Sequence, residues 1–82
     1  MSSSKKIKSL ISVGFKNAVA ADKIVAVVSA DAAPIKKLRS IAKEENRLID
    51  ATNGRRTNSV IITVSNHVIL SSAQPETITQ RL

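Results

Sequence analysis

The sequence predicts one small α+β domain, with about five mostly antiparallel strands, one central helix and a short C-terminal helix. Three observations lead to this class: the chain length, an uninterrupted β-branched run at residues 24–28, and helical spacing of apolar residues within residues 31–47. The chain has 82 residues, within the range of about 50 to 250 that is typical of a single domain. We expect residues 1–6 to form a flexible basic arm and residues 7–82 to form the folded domain.

Two strand patterns separated by a turn occupy the N-terminal third of the domain. Residues 8–13 alternate weakly, and residues 14–17 predict a turn that begins at Gly14, with Phe15 beside it as a core residue. Residues 19–29 predict a second strand whose centre is apolar on both faces, as in strands that are covered on both sides. Because a chain of this size buries only about 60% of its unfolded surface, we expect a second copy of the chain to provide the missing cover.

Residues 31–47 predict the central helix. Pro34 fits the first turn, where its missing N–H costs nothing, and Asp31 is a candidate to cap the free amides. Two lysines lie near the start of this helix and two glutamates near its end, an order that opposes the helix dipole by ~0.3–1 kcal/mol per residue. Stability of the helix therefore does not explain this charge order.

The C-terminal half predicts a three-strand meander over residues 48–52, 59–65 and 67–72. Asn53-Gly54 and Ser65-Asn66 provide the two tight turns, and Asn-Gly is a strong signal for a turn with two positive φ angles. Pro75, after Gln74, predicts the start of the short C-terminal helix.

Arg55 and Arg56 follow the Asn53-Gly54 turn directly. A guanidinium group is a rigid fork of donors with a permanent charge, which suits the phosphate oxygens of a nucleic acid. The alternative is a solvated hairpin tip with no partner. In a two-residue hairpin Asp50 would lie diagonal to Arg55, where it could orient the arginine or form a simple surface ion pair worth ~0–1 kcal/mol.

The charge of the chain favours a polyanion as the partner. Lysine and arginine number 13 against 6 aspartates and glutamates, a formal net charge of +7. We expect Lys8, Lys16 and Lys23, from the lysine-rich N-terminal third, to extend the basic surface. Single-stranded RNA is disfavoured because its readers stack bases on aromatic rings and Phe15 is the only aromatic residue. Contacts to the phosphates of duplex DNA need only lysine, arginine and amide donors.

Catalysis, metal binding and membrane insertion find little support in the sequence. There is no cysteine and one histidine, His67, which lies in a strand pattern with no nucleophile motif nearby. We therefore expect no enzyme activity, no cofactor, no metal and no small-molecule substrate. No apolar run reaches the ~18 residues of a membrane span, and no signal-peptide pattern is present, so a cytoplasmic protein is expected.

Six stretches spread over the chain match the pattern of one known family. They are Ile-Ser-Val-Gly-Phe-x-Asn at 11–17, Ala-Pro-Ile-Lys at 33–36, Leu-Ile-Asp-Ala-Thr at 48–52, Gly-Arg-Arg-Thr at 54–57, His-Val-Ile-Leu-Ser at 67–71, and Gln-Pro-Glu-Thr with Gln-Arg-Leu within 74–82. With these stretches the chain resembles the RemA family, small bacterial regulators of biofilm matrix genes. The similarity covers nearly the whole chain from Lys8 onward.

The resemblance implies a sequence-tolerant DNA-binding protein that forms ring-like homo-oligomers, with an octamer expected, and activates transcription by organising promoter DNA. It implies that Arg55 and Arg56 contact DNA, that Lys23 is a further basic contact where arginine is common, and that Pro34 is functionally sensitive. The chain departs from the family in its basic N-terminal extension, in Lys16 where glycine is common, and in Asn53 where tyrosine is common. Gly14, Phe15, Pro34 and Gly54 are expected to serve structure or assembly.

One alternative from another functional class stays open. The same basic surface could belong to a non-enzymatic interaction module that binds an acidic protein partner or RNA. Binding to random duplex DNA would separate the two hypotheses, whereas salt dependence alone would not.

Overall fold

The computed structural model describes residues 10–14 and 16–82, which form a two-stranded sheet, a four-stranded sheet and two helices. In chain order the elements are β1 (Leu10–Gly14), β2 (Asn17–Ala20), a 3₁₀ turn (Ala21–Lys23), β3 (Ile24–Ser29), α1 (Ala33–Glu44), β4 (Leu48–Asp50), β5 (Ser59–Thr63), β6 (Val68–Ser71) and α2 (Pro75–Gln80). The predicted α+β class is confirmed. The predictions for residues 1–6, Lys8 and Phe15 lie outside the described residues.

The strand predicted over residues 19–29 is two strands that belong to different sheets. β2 pairs with β1 in an antiparallel hairpin, and the 3₁₀ turn then carries the chain into β3, which pairs antiparallel with β5. A signal for this break was present, because residues 20–23 consist of Ala, Asp and Lys, which are depleted in strands. The single sheet of about five strands is therefore replaced by a hairpin of two strands and a sheet of four.

The four-stranded sheet has the order β3-β5-β6-β4. β5 and β6 form the predicted hairpin around Ser65-Asn66, where Asn66 has a φ of 68°. β4, however, lies on the far side of β6 and runs parallel to it. The predicted meander is thus wrong at its first connection, because the chain after β4 crosses over β6 instead of turning back on β4.

Two apolar clusters cover opposite faces of this sheet, as the alternation of side chains along a strand requires. On one face Ile61 and Ile69 pack with residues of the β1–β2 hairpin and with Ile78 of α2. On the other face Val60 and Leu70 pack against Leu38 and Ala42 of α1. The sheet is therefore the middle of three layers, with α1 on one side and the hairpin with α2 on the other.

α1 is shorter than predicted at both ends. Its N-cap is Ala32, with no side-chain cap, so Asp31 does not have the capping role expected of it. Pro34 lies in the first turn as predicted. The helix ends at Glu44 because Asn46 adopts a φ of 60° and the Arg47 N–H donates to the Ala42 carbonyl at 2.8 Å, the 6→1 bond of a Schellman motif.

Candidate nucleic-acid interface

The segment between β4 and β5, residues 51–58, carries the arginine pair and is here named the arginine loop. Within it the Arg55 N–H donates to the Thr52 carbonyl at 3.1 Å, and the two central residues, Asn53 and Gly54, have φ of 54° and 81°. Two positive φ angles are the signature of the type I′ turn that Asn-Gly predicts. The predicted turn is confirmed, and it places Arg55 and Arg56 on its exposed exit.

This turn does not close a hairpin, which changes two expectations. Arg55 and Arg56 lie in irregular backbone, so strand alternation does not send them to opposite faces. The register that would set Asp50 diagonal to Arg55 is also absent, because Asp50 is paired with Leu70 of β6. The reason is the crossover: β6 already occupies the position that a hairpin partner of β4 would need.

Both ends of the arginine loop are fixed to the carboxyl end of β6. The Ala51 N–H donates to the Leu70 carbonyl at 2.9 Å, and the Asn58 N–H donates to the Ser71 carbonyl at 2.8 Å. The Asn58 side chain also donates to the Ser72 carbonyl at 2.8 Å. The loop is therefore held at its two ends by the central layer of the protein, while the turn between them is exposed.

Asp50 organises the start of the loop. Its Oδ1 accepts from the Thr52 N–H at 2.9 Å and from the Thr52 hydroxyl at 2.6 Å, the geometry of an Asx-turn. These hydrogen bonds from Thr52, opposed by a little desolvation and helped by the charge of Arg39, lower the pKa of Asp50 below its ordinary value of 3.8. The carboxylate is thus stabilised in its charged form by the residues that shape the loop.

Asn17 joins the β1–β2 turn to the arginine loop. Its Nδ2 lies 3.1 Å from the Ala51 carbonyl, from Asn53 Oδ1 and from the Gly14 carbonyl. This contact brings the exposed Lys16, which has a φ of 68°, to the same end of the molecule as the arginine pair. Asn17, Thr52 and Asn58 were not among the predicted site residues, because their importance depends on contacts between segments distant in sequence.

Lys23, a further predicted basic residue, does not lie beside the arginine loop. Lys23 is exposed, but its carbonyl accepts from the Val64 N–H at 2.8 Å, at the β5–β6 turn. That turn is at the other end of β5 from the arginine loop, and β5 alone spans about 13 Å at ~3.3 Å per residue. Lys8 lies outside the described residues. Of the predicted lysines that the structure describes, Lys16 lies at the same end of the molecule as Arg55 and Arg56.

The predicted structural residues have defined positions. Gly14 has a φ of 109°, and a Cβ there would lie 3.1 Å from Ser72 Oγ, so both conformation and space favour glycine. Gly54 has open space around it, and its positive φ alone explains its selection. Pro34 is exposed at the start of α1, remote in sequence from the loop that carries the arginines.

His67 belongs to a hydrogen-bonded turn. Its Nδ1 lies 2.7 Å from Ser65 Oγ, which lies 3.0 Å from Thr63 Oγ1, and the His67 N–H donates to that same Thr63 oxygen at 3.1 Å. Over residues 10–14 and 16–82, no group of three or more His, Cys, Asp or Glu side chains is arranged to hold a metal ion. In that same part of the chain, neither helix has the length and apolar character needed to cross a membrane.

The sequence is similar to that of known regulatory proteins over almost its whole length. Residues 10–82 match the family model described as RemA-like, extracellular matrix regulatory protein A-like. Relatives from Fervidobacterium nodosum and Thermosipho melanesiensis are each 57% identical over 72 residues, 88% of this chain and 77% of theirs. A relative from Oceanobacillus iheyensis is 54% identical over 74 residues, 90% of this chain and 86% of its own. All three are named, provisionally, as regulatory proteins.

Proposed function

Because the chain belongs to the RemA-like family, we propose that it is a transcriptional regulator that binds duplex DNA through the arginine loop. The family and the names of the relatives support a regulatory role. The observation that carries the DNA proposal is the arginine loop itself. It presents two adjacent exposed arginines on a turn whose two ends are tied to β6.

This arrangement suits phosphate better than it suits a base edge. Because the backbone of the arginine loop is fixed at both ends, each arginine loses less conformational freedom on binding. Each guanidinium can donate two parallel hydrogen bonds to one phosphate. Lys16 adds a third positive charge at the same end of the molecule. The contacts position the protein on the backbone without reading sequence, which agrees with a regulator that tolerates many sequences.

A homo-oligomer is part of the proposal. The outer strands β3 and β4 each have one edge without a strand partner among the described residues, and they lie on opposite sides of the sheet. Val25 on β3 is 63% exposed and Ile49 on β4 is 46% exposed. Because the two exposed strand edges differ, contact between β3 of one copy and β4 of the next is head-to-tail. Such contacts form a closed ring when the rotation from each copy to the next adds up to a full turn.

In a ring each subunit repeats the same few phosphate contacts. Simultaneous engagement then raises the overall affinity steeply without any new type of contact. Lys23, at the other end of β5, would meet DNA through the ring and not beside the arginines of its own subunit. We propose that such a ring, an octamer if it follows the resemblance, acts in the cytoplasm and organises promoter DNA, with biofilm matrix genes as the first targets to examine.

The experiment that tests this function compares several polyanions over a range of salt. The full chain is titrated with a duplex, a scrambled duplex of the same length, single-stranded RNA and an acidic protein. We expect comparable affinity for the two duplexes, weaker binding to the others, and a log–log salt slope of about −0.9 per phosphate contact. A preference for the acidic protein over both duplexes would instead support the interaction-module alternative.

A further inference from the structure

An open cavity of about 370 Å³ lies between α1 and the β4 side of the sheet. The helix contributes four polar side chains at the spacing i, i+3, i+4, i+7, which places them on one face. They are Lys36, Arg39, Ser40 and Lys43. The cavity is within the range of about 300–1,000 Å³ that is typical of small-molecule sites.

The sheet contributes an apolar floor and one carboxylate. Leu48 of β4 and Leu70 of β6 line the cavity, and Asp50 lies at the end of β4 beside them. Three cationic side chains and one carboxylate therefore line a space that also has an apolar wall. A ligand with a phosphate group and a less polar body matches this combination, since the phosphate meets lysine and arginine donors and the body meets leucine.

The reversed charge order of α1 agrees with an anion at this place. The first turn of α1 holds no acidic residue, and the helix has no side-chain N-cap. Lys36 thus adds its charge near the positive end of the helix dipole, where a bound anion would be stabilised. The lysine that opposes helix stability therefore adds positive potential to the part of the cavity that it lines.

The cavity is joined to the arginine loop through a single residue. Asp50 lines the cavity and is close enough to Arg39 to feel its charge, and the same carboxylate holds the Thr52 N–H and hydroxyl. The Thr52 carbonyl accepts from the Arg55 N–H, and this hydrogen bond closes the turn that leads into the arginine pair. An anion bound by Arg39 would draw that charge away from Asp50 and repel the carboxylate.

We propose that this cavity is a regulatory site for a small phosphorylated metabolite, held by Lys36, Arg39 and Lys43, whose binding weakens the grip of the arginine loop on DNA. The site itself is independent of the proposed DNA function, whereas its regulatory effect rests on that function. Because coupling between two sites is reciprocal, DNA should lower the affinity for the metabolite by the same factor.

The first experiment measures binding to the cavity without DNA. The full chain is titrated by calorimetry with ATP, with GTP and with inorganic pyrophosphate at physiological salt. We expect at least one nucleotide to bind below 1 mM, tighter than pyrophosphate because of the apolar wall. Arg39→Gln and Lys43→Gln should each weaken this binding by about tenfold or more, while Lys37→Gln, which removes an equal charge outside the cavity on the same helix, should leave it unchanged. If no probe binds, or if all three variants lose nucleotide affinity equally, the proposal of a binding site in this cavity is wrong.

The second experiment measures duplex affinity with and without the nucleotide that binds. We expect the affinity to fall by about fivefold or more, the lower end of ordinary allosteric coupling, and the fall to disappear in Arg39→Gln. If Arg39→Gln and Lys43→Gln weaken duplex binding without nucleotide as strongly as Arg55→Ala does, the cavity is part of the DNA surface and the regulatory proposal fails. If Arg55→Ala leaves duplex affinity unchanged while nucleotide binding persists, the DNA function fails and the cavity stands as a metabolite site.

Discussion

Asp50 is the residue whose role changes most between the sequence and the structure. The sequence offers it as a partner for Arg55 across a hairpin, whereas in the structure it shapes the turn before the arginines through Thr52. A local signal for this role was present, because an aspartate side chain readily accepts a hydrogen bond from the backbone N–H two residues on, as in an Asx-turn. The crossover that removes the hairpin is a non-local event and has no such signal.

Replacement of Asp50 separates its hydrogen bond from its charge. Asp50→Ala and Asp50→Asn both remove the negative charge, but the asparagine oxygen can still accept from the Thr52 N–H. We expect Asp50→Ala to release the turn, at a cost of ~0.5–1.5 kcal/mol for the lost hydrogen bond, and to bind duplex DNA more weakly than Asp50→Asn. Fluorescence anisotropy with a labelled duplex measures both variants; equal affinities would show that the Asx-turn does not position the arginines.

The lowered pKa of Asp50 gives the loop a pH dependence with a definite sign. The carboxylate binds its proton more weakly in the folded chain than in the unfolded chain. The carboxylate therefore contributes fully to the stability of the fold above pH 3.8, its ordinary pKa, and this contribution is lost as the pH falls through the lowered pKa of the folded chain. When urea unfolding is measured from neutral to acid pH, the free energy of unfolding should fall less in Asp50→Asn than in the unmodified chain. Identical pH profiles would contradict the hydrogen-bonded carboxylate.

At the scale of elements, local signals predicted the turns and helix starts, and non-local pairing decided the rest. Asn53-Gly54, Ser65-Asn66, Pro34 and Pro75 all occupy the positions expected from their backbone preferences. The parallel pairing of β4 with β6 could not be read from the sequence, because periodicity gives a strand its faces but not its neighbour. The end of α1 was missed although Asn46, a residue that tolerates positive φ, marked it.

Pro34 is predicted to act through α1 and assembly. Pro34→Ser removes the fixed φ at the start of a helix that has no side-chain cap, and should lower the free energy of unfolding by ~0.4–1 kcal/mol. Ala32→Ser is the opposing variant, since it supplies a hydroxyl at the N-cap and should stabilise the chain by ~0.5–2 kcal/mol. Thermal unfolding and particle mass measure both effects. Normal stability and normal mass in Pro34→Ser, combined with lost DNA binding, would make Pro34 a contact residue.

At the scale of the whole molecule, the sheet is covered on both faces but not at its edges. The sequence led us to expect that another copy would cover one face of the apolar run at 24–28, but Val27 and Val28 pack into the clusters on the two faces of the sheet, so the chain itself contributes cover on both. β3 is nevertheless an outer strand, and Val25 on it is exposed. We therefore expect sedimentation of the full chain at micromolar concentration to give a mass several times 8.8 kDa. Val25→Lys, which places a charge on this edge, should shift the mass toward the monomer, whereas Lys37→Glu on the surface of α1 should not. A monomer at high protein concentration would contradict the assembly.

We propose that duplex DNA binds to the arginine loop. The Arg55→Ala, Arg56→Ala double variant tests this when its duplex affinity is measured over a range of salt concentrations. Lys37→Glu is the matched control, because it changes the net charge by the same two units outside the loop. We expect the double variant to keep its fold and particle mass, to lose most of its duplex affinity at every sequence tried, and to have a salt slope reduced by about one per phosphate contact removed. Unchanged affinity and slope in the double variant, or an equal loss in Lys37→Glu, would contradict the claim.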